Sequence, residues 1–266
     1  VNMFARELKA NTRFTILWTF ALSAWIVLIS LFYPAFSENA AIIEKALESY
    51  PEAVRSLLGL SQDSLSSYMG FYTFVFNGVV ELGAVQAMIL GATVLFKERS
   101  GKTADFLFTK PVSRKQIMTS KLGAATLCLT FTTFVCFAVT IMTAIIISGD
   151  AVNMIIFFMI DMSLWFVQLI FMSLGLLIAV VFPNMKSATG IAVGSLLLSV
   201  IVYNALKPVM GGYNVRYLIP FHYFDSEWIV RYGSYEAPFV LTAILLIAAS
   251  VAAGYAVYDK KDIHAA

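Results

Sequence analysis

The sequence predicts an all-α integral membrane protein: one domain over residues 1–266 with about six membrane-spanning helices. Three observations predict it. Hydrophobic residues make up 60% of the chain and charged residues only 13%, whereas soluble domains are nearer half apolar and a quarter charged. The apolar residues gather into six runs, each long enough to cross a hydrocarbon core as a helix of about 20 residues. Those runs use most of the chain and leave no stretch for a separate soluble domain.

The predicted spans are 14–36, 68–96, 114–148, 152–182, 187–206 and 237–258. The run from Phe14 to Tyr33 exceeds a signal-peptide core of roughly 7–15 residues, so it is read as a retained span. Ahead of it, residues 3–13 have the pattern of an amphipathic elbow helix. Phe4 and Leu8 share one face, while Arg6, Lys9 and Arg13 recur on another, facing anionic headgroups. Between spans one and two, 37–67 is polar, with a helical interior around 42–58 interrupted by Pro51. Between spans five and six, 207–236 is rich in aromatics. Pro220, Tyr223, Trp228 and Tyr232 there suit a compact cap at the membrane interface.

Basic residues set the orientation. With the N-terminus inside, the inner segments hold Arg6, Lys9, Arg13, Lys97, Arg99, Lys102, Lys110, Arg114, Lys115, Lys121, Lys186, Lys260 and Lys261. The outer segments hold only Lys45, Arg55, Lys207, Arg216 and Arg231. The expected topology is N-in and C-in, which needs an even number of spans.

Several chemistries drop out. Cys128 and Cys136 lie eight residues apart in one apolar run, roughly 12 Å along a helix and too far for a disulfide. His222 and His264 have no companions at metal-ligand spacing, so no metal site is expected. No Ser/His pair or aspartate pair stands in a catalytic frame. The run Gly101-Lys102-Thr103 looks like the end of a phosphate-binding loop, but the glycine required five residues earlier is Phe96, inside a span.

The segment 97–121 is better read as a contact element. Thr103 can cap a short helix with Asp105 in its first turn. Ala104, Leu107 and Phe108 give that helix an apolar face, and Pro111 stops it. Ser113-Arg114-Lys115-Gln116 is a capping box that restarts the chain as span three. Pattern alone leaves an ordinary basic loop as an equal alternative.

The run from Glu98 through Arg114, ending Lys110-Pro111-Val112-Ser113-Arg114, resembles the corresponding loop of ABC-2 type transporter permeases. The segment Tyr217-Leu218-Ile219-Pro220-Phe221-His222-Tyr223-Phe224-Asp225 is similar to that family's outer segment, and Tyr258-Asp259-Lys260-Lys261-Asp262-Ile263 to its cytosolic end. The resemblance implies the type V exporter permease fold, with Arg6, Lys9 and Arg13 in the elbow helix. A coupling helix would run over 103–110, with Glu98, Thr103, Asp105, Leu107, Phe108, Pro111 and Arg114 in the ATPase-coupling element. It also implies a multi-pass protein of a bacterial inner or plasma membrane. That protein is not an enzyme by itself and carries no cofactor; ATP and Mg are bound by a separate ABC ATPase. A second permease copy or paralogue and membrane lipid are the other implied partners, and nucleic acid is not one. Within the family, the chain is most similar to exporters of amphipathic peptides, drugs and similar small molecules.

The spans themselves contain polar candidates. Glu81 sits near the middle of span two and Asp161 within span four; ionisable groups at that depth face a bundle interior or water. They read either as walls of a translocation pathway or as hydrogen-bonded packing groups, with Asn77, Gln86 or Gln168 as partners. Gly190 and Gly194 form a small-residue pair in span five that permits close helix approach, within the chain or between subunits. The resemblance places spans two and five beside the central pathway, which adds Asn77, Gly190 and Gly194 to Glu81 and Asp161. A secondary transporter or ion channel using Glu81 and Asp161 is the alternative; it leaves the basic loop without a role.

Overall fold

A computed structural model of the chain describes residues 3–39, 42, 45, 67–100, 114–148, 153–182 and 187–260, with side chains for all of these except 95–100, 114, 259 and 260. Every regular element among the described residues is helical. In chain order they are α1 (Met3–Ser30), α2 (Tyr33–Glu38), α3 (Tyr68–Ser100), α4 (Arg114–Ser148), α5 (Met154–Val181), α6 (Ala188–Met210) and α7 (Gly212–Arg216). A 3₁₀ turn (Pro220–His222), α8 (Ser226–Tyr232) and α9 (Ala237–Lys260) complete the set. Six membrane-crossing units are long and apolar enough: α1 with α2, α3, α4, α5, α6 and α9. The chain is a multi-pass, all-α membrane protein.

The first unit departs from expectation at both ends. No break separates residues 3–13 from the span; α1 is one unbroken helix. The residues that might have capped a new helix turn their side chains back instead. Thr12 donates to the Leu8 carbonyl and Thr15 to the Asn11 carbonyl, each at 2.9 Å, so the backbone has no competing partner at the junction. The span also does not run straight to residue 36. Pro34 lacks the N–H that would bond Ser30, so α1 ends there and α2 restarts with Pro34 in its first turn. Helix α3 continues past 96 to Ser100, and α6 continues through Pro208 to Met210, where Gly211 ends it at φ 78. The expected helix within 42–58 lies almost wholly outside the described residues.

Packing in α1 is turned inside out. Its buried stripe is Asn11, Thr15, Thr19, Leu22, Ile26 and Ser30, spaced by three or four residues as one helix face. Its exposed face carries Ile16, Leu17, Phe20 and Leu28. In lipid, apolar side chains gain nothing by turning inward, whereas small and hydroxyl side chains gain close packing and hydrogen bonds. The stripe lies along α4, with which α1 runs parallel. Thr19 meets Thr132 at 2.9 Å, and Ser30 and Thr143 share the Tyr68 hydroxyl at 3.1 and 3.3 Å.

Helices α3 and α5 are the tightest pair. A Cβ on Gly91 would overlap the Met172 carbonyl, and one on Gly175 would overlap the Met88 carbonyl. Each helix thus supplies a glycine where the other's backbone passes. The spans differ greatly in enclosure: 72% of the apolar window of α3 is buried, against 6% for α6. Helices α1, α3, α4 and α5 form the packed core, and α6 and α9 lie against its outside.

Candidate functional site

Among the described residues, the polar candidates named from the sequence within the spans fall into two systems, separated by the geometry of α3. At one residue per roughly 100° of turn, Glu81 lies about 180° around the helix from Tyr72, nine residues earlier.

The first system faces inward. Asp161 of α5 is fully enclosed. Tyr72 of α3 donates to its carboxylate at 3.1 and 3.2 Å, and Thr140 of α4 donates at 3.3 Å. Tyr72 and Thr140 are themselves 2.7 Å apart. Three helices therefore share one hydrogen-bonded layer, and its members are not the expected Asn77, Gln86 or Gln168. Those two glutamines build a second layer. Gln168 donates to Gln86 at 3.1 Å and Thr133 donates to Gln168 at 3.1 Å. Gln86 donates to Thr132 at 3.1 Å, which carries the chain on to Thr19 of α1. Asp161 thus joins three spans.

The second system faces outward. Asn77 is exposed and Glu81 half-buried, one turn apart on the same side of α3, at the middle of the Tyr68–Val94 span. Their neighbour Gly78 lies under the ring of Trp25, whose indole N–H donates to the Val75 carbonyl at 3.1 Å. Helix α6 rests on α3 through Ser195, which donates to the Met88 sulfur at 3.0 Å, and Ala192 one turn earlier is buried. Gly190 and Gly194 are exposed, and nothing lies within 4 Å of a Cβ placed on Gly194. Both glycines point away from this chain's own bundle. The structure thus places Asn77, Glu81, Gly190 and Gly194 toward the surroundings of the chain, and separates Asp161 from them.

One end of the bundle is closed by the segment between α6 and α9. Arg216 is its hub. The residue is 9% exposed, and its guanidinium lies 4.1 Å over the Phe239 ring and pairs with Glu236 just before α9 and with Asp225 at 3.9 Å. It also donates to the carbonyls of His222 at 2.8 Å and Tyr223 at 3.3 Å. Asp225 caps α8 through the amides of Glu227 and Trp228. Tyr235 donates to the Met159 carbonyl at 2.7 Å, and burial pushes its phenol up to about 12, so it remains a neutral donor. Of the expected cap residues, Tyr223 is buried, while Trp228 and Tyr232 stack at 4.1 Å on the exposed rim.

The opposite end carries the start of α1, the end of α3 and the start of α4. Arg6, Lys9 and Arg13 are exposed there. Thr103, Asp105, Leu107, Phe108 and Pro111 lie outside the described residues. For Glu98 and Arg114 only the helical backbone is described. Cys128 and Cys136 are separate, buried thiols. Among the described residues no three His, Cys, Asp or Glu side chains gather as a metal site.

Sequence reasoning named Gln86 and Gln168 as possible hydrogen-bond partners and counted Arg216 and Lys121 among the basic residues, but it passed over Thr132 and Thr140 and gave Tyr72, Arg216 and Lys121 no partners. A signal for part of them was available: α4 carries Thr132, Thr133, Thr140 and Thr143 at helical spacing within an otherwise apolar run. Arg216 had none, because its partners arrive from three different elements.

The model of the family described as ABC-2 family transporter protein matches residues 2–263. No curated protein matches the chain.

Proposed function

Because the chain belongs to the ABC-2 transporter family, and is therefore a permease subunit of an ABC transporter rather than an enzyme in its own right, we propose that it is the membrane half of an ATP-driven exporter. It pairs with a separate ABC ATPase, which binds ATP and Mg, and with a second permease copy or a paralogue. It moves amphipathic peptides, drugs or similar small molecules out of a bacterial cell, with both termini and the 97–113 segment in the cytosol.

The observation that carries this reading is the outward polar stripe of Asn77 and Glu81 at mid-span. A carboxylate or carboxamide turned to hydrocarbon is costly, so such a face borders water or another protein chain. A pathway formed between two permease copies satisfies both groups. It gives Glu81 the role of a counter-charge for cationic or amphipathic cargo. Gly190 and Gly194 are exposed, with only the capping Ser187 of the same helix near Gly190 and nothing near Gly194, and they suit the same shared face. A secondary transporter running on Glu81 and Asp161 would need both carboxylates on one route, but they lie on opposite sides of α3.

Energy must enter from outside a chain with no nucleotide site of its own, and only a contact that differs between ATP-bound and ATP-free partners can shift its conformation. The 97–113 segment supplies that contact in this reading, with Leu107 and Phe108 inserted in a groove on the ATPase. The test is co-purification with the ATPase, followed by ATP hydrolysis and transport in proteoliposomes against cationic amphipathic peptides and drugs. Phe108→Asp should leave the permease in the membrane and abolish ATPase association, since a charge would enter an apolar groove; a conservative change at Lys102 should not. Glu81→Gln should assemble normally and transport at least several-fold more slowly. Normal association and transport by Phe108→Asp would remove the segment from energy coupling.

A further inference from the structure

Lys121 is the one lysine among the described residues that is buried, at 5% exposed. It lies two turns into α4. Its ammonium is 3.4 Å from the Glu7 carboxylate of α1 and donates to the Val94 carbonyl of α3 at 3.0 Å. A cation held away from water persists only when it is paired and hydrogen-bonded. Here Glu7 and Val94 belong to two different helices. Val94 and Lys121 also stand on the two stems of the 97–113 segment, one before it and one after it. A single side chain therefore ties both stems to each other and to the start of α1.

The neighbouring contacts make the junction tight. A Cβ on Gly123 would meet the Phe4 ring at 3.4 Å, and Leu8 packs against the core. Beyond the junction α1 and α4 keep a fixed register. Thr19 and Thr132, 113 residues apart, are bonded, and the same offset recurs at Ser30 and Thr143, joined through Tyr68. Polar links thus hold this parallel pair at its base, middle and far end. Among the described residues, helix α6 meets α3 through Ser195 and the Met88 sulfur, and stacks Tyr203 on His222 at 4.2 Å.

We propose that Lys121 is a positioning residue for energy coupling: by holding Glu7 and the Val94 carbonyl together, it makes α1 and both stems of the 97–113 segment one rigid lever. A displacement delivered at the segment is then carried along α1 and α4 to the far end of the bundle, where it shifts them relative to α6. This rests on the reading of the 97–113 segment as the ATPase contact. Without the ammonium, α3, α4 and α1 remain packed but can slide, and the displacement dissipates at the junction.

The experiment uses the permease–ATPase complex in lipid nanodiscs. Spin labels replace Leu28 near the far end of α1 and Val209 at the far end of α6, both exposed. Their distance is measured with and without ATP–vanadate trapping. The unsubstituted complex should show a shift on trapping. Lys121→Met should keep ATPase association and basal hydrolysis but lose at least half of that shift, and Lys121→Arg should retain it. Where Lys121→Met yields no folded complex, Glu7→Gln is read in the same way. A full shift in Lys121→Met or Glu7→Gln, with or without lower thermal stability, overturns the proposal and leaves Lys121 a packing residue. A folded permease that never associates with the ATPase refutes the premise instead, and shows which of the two readings failed.

Discussion

Asp161 shows how one residue's role depends on its neighbours. An acid in the middle of a span reads as functional by depth alone, yet Tyr72 and Thr140 enclose it completely. Interhelical hydrogen bonds of this kind in membranes contribute on the order of 0.5–2 kcal/mol. Tyr72→Phe keeps the ring packing and removes the hydroxyl, so it should lower stability by about 1 kcal/mol, read as a lower thermal midpoint in detergent. Transport by the surviving fraction should be close to normal. A selective loss of transport without loss of stability would return Asp161 to the pathway. Glu81, by contrast, has its flank open, and that difference separates the two carboxylates more clearly than their depth does.

At the scale of single helices, glycines mark where backbones touch. Gly91 and Gly175 are each opposed by the partner's carbonyl, and backbone cannot move aside as a flexible side chain can. Gly91→Leu should therefore cost ~3 kcal/mol or more and prevent recovery of folded protein, as judged by size-exclusion chromatography. Gly194→Leu should leave the single chain folded, because nothing stands near that position. Its effect should appear in cross-linking between two permease copies; unchanged cross-linking would exclude Gly194 from that contact. Helix α1 carries the second lesson of this scale. Its core-facing stripe is the polar one, so a search for an apolar buried face would choose the lipid side.

For the whole molecule, the parallel pairs α1–α4 and α3–α5 require the start of α1, the end of α3 and the start of α4 to share one end of the bundle. The Arg216 cap closes the other end. In the proposed topology, which follows the charge bias of the sequence, the first end is cytosolic. On a background lacking Cys128 and Cys136, a cysteine at Lys102 should resist an impermeant thiol reagent in intact cells, while one at Trp228 should react. The opposite pattern would invert the topology without changing the fold.

The sequence by itself determined the class and the number of spans. Those properties follow from apolar run length against bilayer thickness, which is local and additive along the chain. It also determined the family, through an ordered set of short motifs. The helix breaks at Pro34 and Gly211 were readable in principle, since each depends on one residue's backbone chemistry. The continuity of α1 through residue 13 was not, because Thr12 and Thr15 can cap a helix or bond back along it. Only the tertiary structure decided which polar residues face each other. Tyr72 with Asp161, Gln86 with Gln168, Lys121 with Glu7 and Val94, and Arg216 with Glu236 join groups remote in sequence. Their pairing is set by helix rotation and register, and each rotation is fixed by all the neighbouring helices at once.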